Sequence, residues 1–158
     1  MFRPSRLIVT IAFLGLANFA SVARSPADND GIVRVASAVP MEEAAKRVKQ
    51  AIAEKGIQLF GEIDQAGLAA KAGIKLRPSV LLVFGNPPLG TQFITDNPNA
   101  GLDWPVRLLL REDETGHVWA VYTDFGWIAR RHGISSRDEQ FKMASSVVQS
   151  ITSSLTAK

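Results

Sequence analysis

Cysteine is absent from all 158 residues. This removes disulfide bridges, thiolate metal sites, thiol catalysis and covalent haem attachment through Cys. Stability must then come from an apolar core alone. Histidine occurs only at positions 117 and 132, so no structural zinc set can be assembled. A serine-nucleophile motif, a phosphate-cradling glycine loop and a dinucleotide fingerprint are all missing. Gly85-Asn86-Pro87 alone makes none of these. No apolar run reaches the roughly 20 residues of a membrane span. No internal repeat or domain-scale linker divides the chain. Clustered Lys and Arg are lacking too, which argues against a nucleic-acid partner. No metal and no cofactor is implied.

The first residues carry a three-part pattern. Met1 to Arg6 is a short basic stretch, Leu7 to Ala17 is apolar apart from Thr10 and Gly15, and Ser21-Val22-Ala23 offers small residues at a cleavage position. This reads as a secretory signal peptide over 1–23, with an uncleaved anchor as the alternative. Export to the periplasm follows as an expectation, with no stable membrane span left after cleavage. Of 18 basic residues, removal of Arg3 and Arg6 leaves 16 against 15 acidic, so the apparent basicity nearly vanishes.

Residues 24–31 read as a linker, and 32–157 as one domain of ordinary size. Ile32 to Ala36 is a β-branched strand. Met41 to Lys55 has apolar residues at helical spacing, with Pro40 before it, Glu42 and Glu43 in its first turn, and Gly56 as its stop. Ile57 to Ile63 alternates as a half-buried strand would, and Ala66 to Ala72 is a short helix closed by Gly73. Ser79 to Phe84 is apolar enough for a central strand covered on both faces. Leu89 to Asp96 forms another short helix. Val106 to Arg111 and His117 to Tyr122 make an antiparallel hairpin around the polar turn Glu112 to Gly116. A short helix from Asp124 to Arg131 is capped by Asp124 and stopped at Gly133. Ser136-Arg-Asp-Glu139 has capping-box spacing ahead of a terminal helix with the stripe Phe141, Ala144, Val148, Ile151 and Leu155. The mixture with a hairpin points to an α+β fold.

The pieces Ile63-Asp64, Ala66, Gly73, Leu76-Arg77-Pro78, Phe84-Gly85-Asn86-Pro87 and Gly90-Thr91 occur in order. Asp103 with Pro105, Arg107, Trp119, Tyr122 and Arg131-His132-Gly133 follow them. In this order and spacing the chain resembles the domain-of-unknown-function 302 family from about Ile32 to Gly133. The resemblance implies a β-α-β4-α arrangement, like that of the TATA-binding protein, with one antiparallel sheet and helices packed on one side. It also implies a homodimer. It implies no nucleic-acid binding, because fold is not function, and no activity. Many relatives carry His after the aspartate, where this chain has Gln65, so a proton-transfer or metal role for that position is not carried over.

The polar candidates near strand ends are Asp64, Arg77, Asn86, Asp103 and Arg107. Two guanidiniums could grip a carboxylate or phosphate bidentately. Alternatively, Arg77 or Arg107 pairs with Asp64 or Asp103 and merely fixes loops, and Asn86 serves its own turn. His117 and His132 are placed at a turn and a helix end. Trp104, Trp119, Trp127, Tyr122 and Phe125 could line a pocket or serve as core or dimer contacts. The reading that leads is a non-catalytic, exported domain binding a small polar or anionic ligand. A structural or dimerisation module comes second. A hydrolase or isomerase using Asp64 or Asp103 comes third.

Overall fold

The fold is seen in a computed structural model that describes residues 30–156. The expected signal peptide, and the expected linker up to residue 29, lie outside the described residues. The elements are β1 (Ile32–Ala36), α1 (Met41–Glu54), β2 (Gln58–Asp64), α2 (Gln65–Lys71), β3 (Ser79–Gly85) and α3 (Pro87–Asp96). After a 3-10 turn at Pro98–Leu102 come β4 (Val106–Glu112), β5 (Val118–Thr123), α4 (Phe125–Arg131) and α5 (Asp138–Ser153). The strands form one antiparallel sheet in the order β1-β5-β4-β3-β2. The α+β class and the single antiparallel sheet stand as expected.

Paired residues of an antiparallel sheet point to the same face. Leu82 opposite Leu108, Val80 opposite Leu110, and Leu110 opposite Ala120 define a core face. Leu82, Phe84, Leu108, Leu110 and Ala120 are each at most 1% exposed there. The helices supply the matching stripes: Ala44, Ala45, Val48 and Ile52 of α1, and Phe141, Ala144, Val148 and Ile151 of α5, are buried in the same cluster. Each large apolar side chain so buried contributes about 1.5–3 kcal/mol before entropy is charged against it.

Three expectations need correction. β3 is not the central strand covered on both faces, since β4 takes the middle and Leu81 and Val83 are only half-buried on the face opposite the core. β2 is not half-buried. It is an edge strand whose residues are all exposed except Gly61. A register shift between Leu59 and Gly61 inserts Phe60 as an extra residue. That shift reverses the alternation, so Leu59 pairs with core-facing Phe84 while Ile63 pairs with outward Leu81. Nor does Ser136 cap α5. Arg137 holds the cap position without a side-chain bond, and the Ser136 hydroxyl donates to the Asp96 carboxylate instead.

Candidate functional site

The five candidate residues fall into two groups at opposite ends of the sheet. At one end, Asp64 caps α2 by accepting from the Gly67 backbone N–H at 2.8 Å, and Arg77 is exposed just before β3. At the other end lie Asn86, Asp103 and Arg107. Val83 pairs with Arg107 six residues beyond Arg77, a separation of roughly 20 Å along extended chain. The two arginines therefore do not converge, and the two aspartates do not form a carboxylate pair.

Asp103 is the better-furnished group. Its carboxylate is 4% exposed and accepts from Arg107 Nη2 at 3.2 Å and from Arg131 Nη1 at 3.0 Å. His132 Nε2 lies 2.6 Å away on a side chain only 5% exposed. An ionised carboxylate can only accept, so Nε2 carries the proton in that bond. Arg107 also donates to the Leu102 carbonyl at 2.9 Å. The paired alternative for Arg107 and Asp103 is thus what the structure contains. Arg131 and His132 join it because α4 ends beside the loop that leads into β4. The side chain of Asn97 adds a bond from Nδ2 to the His132 carbonyl at 2.8 Å.

A cavity of about 570 Å³ opens next to this cluster, between the end of β3, α3 and α5. Phe84, Leu89, Phe93, Trp104, Val106, Phe125 and Met143 supply apolar wall, while Lys55, Asn86, Gln92 and Gln140 are its polar members. Asn86 caps α3, its Oδ1 accepting from Leu89 N–H at 3.2 Å, and its amide nitrogen has no hydrogen bond among the described residues. Lys55 closes α1, where a cation suits the helix C-terminus. It has no ion pair among the described residues. Trp104 stands edge-on to Phe60, centroids 6.0 Å apart. Its indole Nε1 lies over Gly90, where any Cβ would collide with it. Phe93 stacks on Phe141 at 4.1 Å behind the cavity.

Sequence reasoning placed Asn86 and Trp104 among the candidates but missed Lys55, Gly90, Gln92, Gln140 and Met143 as neighbours. The available signal was Gly90 itself, a helix-weakening residue inside the predicted helix Leu89 to Asp96. A glycine there points to something packed against the backbone. His117 sits at the hairpin turn, where its backbone N–H donates to Asp113. That carboxyl is held far below the ordinary aspartate value by Thr115, Trp119 and backbone donors. It is a turn-stabilising group outside the cavity.

The family model described as "Domain of unknown function DUF302" matches residues 33–152. The fluoride-specific ion channel FluC 1 of Brucella suis biovar 1 is 38% identical over 110 residues, covering 68% of this chain and 43% of that protein. The protein of the same name from Brucella abortus biovar 1 is also 38% identical over 110 residues, covering 41% of its length. The chain thus spans less than half the length of these curated relatives. The crystal structure of an uncharacterized conserved protein DUF302 from Bacillus stearothermophilus superposes with a TM-score of 0.72 at 13% identity, covering 80% of this chain and 98% of that one. At that identity the likeness shows the fold alone.

Proposed function

We propose that this chain, which belongs to the DUF302 family of domains of unknown function, is a non-catalytic binding domain for a small molecule with an apolar body and an anionic or polar head. The observation that carries this reading is the cavity of about 570 Å³ whose wall is largely apolar and whose polar members include a lysine with no ion pair among the described residues. That volume lies within the range of about 300–1,000 Å³ common to small-molecule sites. Arg77 and Arg107 drop out as ligand arms, one being remote and the other tied to Asp103. The head group falls instead to Lys55, the Asn86 amide and the Trp104 indole N–H. Fluoride conduction is not carried over from the Brucella relatives. Among the described residues no helix is long and apolar enough to cross a membrane.

Decanoate and decanol are suitable probes, titrated calorimetrically and by tryptophan emission. Burying most of a decyl chain at about 0.8 kcal/mol per methylene supplies about 7 kcal/mol, and an association cost of at least about 4 kcal/mol leaves affinities on the order of millimolar. Both probes are expected to bind saturably and to shift an emission component that Trp104→Phe removes. Lys55→Ala weakens decanoate by about two- to fivefold, the worth of an exposed ion pair, and leaves decanol unchanged. Absence of saturable binding by either probe sinks the binding-domain reading.

Two further expectations stand as part of the same proposal. The signal pattern at 1–23 directs export, with the periplasm as the site of action. The face of the sheet opposite the core carries a row formed by Ile63, Leu81, Leu109 and Val121 across four strands. We read it as the contact surface of a homodimer.

A further inference from the structure

Between β2 and β3 the chain makes an excursion that its own core does not explain. No residue of α2 is buried, and every residue from Ala70 to Pro78 is exposed. Into this segment the sequence puts three large apolar side chains, Leu68, Ile74 and Leu76, exposed by 56%, 62% and 49%. Among them stand Lys71, Lys75 and Arg77, none with an ion pair among the described residues. The acidic neighbours are engaged elsewhere. Glu62 pairs with Lys49 at 2.8 Å, and Asp64 accepts from Gly67 N–H at 2.8 Å. The segment is nevertheless shaped. Asp64 caps its start, Gly73 turns it at φ +73°, and Ser79 donates to the Gln65 side chain at 2.8 Å where it rejoins the sheet.

We propose that this α2–β3 segment docks on an anionic lipid surface. Apolar side chains held in water and cations without counterions are two separate deficits, and a bilayer rich in acidic headgroups relieves both. The aliphatic groups enter the acyl boundary while lysine and arginine heads reach the phosphates. Charge decides against a second copy of the chain. A two-fold contact through this patch would bring its three cations against the same cationic patch of the other copy. Aliphatic Leu and Ile, with no aromatic among the six residues, do not suit a nucleic-acid surface.

Because the chain has no cysteine, a single introduced thiol reports from one place. Ala72→Cys, carrying a polarity-sensitive fluorophore on the full chain, leaves all six patch residues intact. With phosphatidylcholine vesicles containing a quarter phosphatidylglycerol, its emission shifts to the blue. The shift is absent on pure phosphatidylcholine and is lost in 0.5 M salt, as screening of surface charge requires. The same label at Glu114→Cys, on the β4–β5 turn, stays unshifted. Replacing Lys71, Lys75 and Arg77 together by Ala, at about fivefold per charge, lowers partition on the order of 100-fold. The label reads the patch itself, so lipid held by any other part of the chain does not mimic the result. An unshifted Ala72 label on acidic vesicles overturns the proposal, as does equal response to neutral ones. So does a blue shift that grows with protein concentration in the absence of lipid, which would assign the patch to a protein partner.

Discussion

Gly90→Ala sets two known effects against each other, and the structure decides the sign. In an exposed helix this change stabilises by about 1 kcal/mol, because glycine has more backbone freedom to lose. Here the new Cβ would occupy the space of the Trp104 indole nitrogen. The ring has little room to retreat. A Cβ on Gly85 would already stand 3.1 Å from Trp104 Nε1 and 3.3 Å from Phe60, so that side of the ring is close-packed. The indole must shift toward the cavity, and overpacking of this kind costs typically about 1–3 kcal/mol. The net is a loss of about 1 kcal/mol. With a denaturant slope of about 1–3 kcal/mol per molar urea, the midpoint falls by roughly 0.5 M. Gly101→Ala is the control, since its Cβ meets only Ile94 at an ordinary 3.8 Å, and its midpoint does not fall. In a Trp104→Ala background the clash is gone and Gly90→Ala becomes stabilising, a coupling that a double-mutant cycle measures directly. If Gly90→Ala raises the midpoint in the wild-type background, the indole does not rest on Gly90 and the cavity lacks the wall described above.

Asp103→Ala leaves a buried imidazole without its acceptor, while Arg107 and Arg131, 52% and 44% exposed, re-solvate. The loss in urea unfolding is therefore about 2–3 kcal/mol, below the 3–5 of a fully buried broken pair. Asp103→Asn retains an acceptor for Nε2–H and costs about 1–2 kcal/mol. Values under roughly 0.5 kcal/mol for both would show that the cluster fastens nothing. For the homodimer, light scattering of the wild-type chain gives twice the chain mass, and Leu109→Lys, in the middle of the outward row, gives a monomer with an unchanged circular dichroism spectrum. A wild-type chain that stays monomeric at high concentration refutes that surface.

What could be read from the sequence was whatever depends on neighbours in the chain. The stripes of α1 and α5 emerged because a helix repeats its buried face every three or four residues: Phe141, Ala144, Val148 and Ile151 of α5 are all buried, as is Leu155 just beyond its end. Asp124 was legible as a cap for the same reason, and it accepts from Trp127 N–H at 2.8 Å. Failures began where distant partners compete. Ser136 had the local pattern of a cap, but its hydroxyl donates its hydrogen bond to Asp96, forty residues earlier. Phe60 has no feature that marks it as a bulge, yet its insertion reversed which residues of β2 face the core. The site suffered most. His132 reaches Asp103 across 29 residues, and the cavity gathers residues from the turn after α1, from α3, α4 and α5, and from the ends of β3 and β4. No spacing rule connects Lys55 to Gln140. The arginines were conspicuous because they flank an apolar strand. That prominence reflected their position in the sequence rather than their nearness in space.

The Asp103 cluster bears on the cavity because Trp104 is the next residue. The segment before it, Pro98–Leu102, is held at both ends to the C-terminal end of α4 and the residue after it. Asn97 donates to the His132 carbonyl at one end, and Asp103 accepts from Arg131 and from the His132 ring at the other. Swinging Trp104 outward would break a buried, charge-assisted arrangement together with a second, independent hydrogen bond. Among the described residues nothing comparable restrains the opposite side. Met143 on α5 is 57% exposed and unbranched, and Lys55 lies in an exposed turn. A thioether with three rotatable bonds moves at little cost. On the proposed binding reading, a ligand would reach the cavity past Met143 and Lys55, with the indole as the fixed wall against its apolar body.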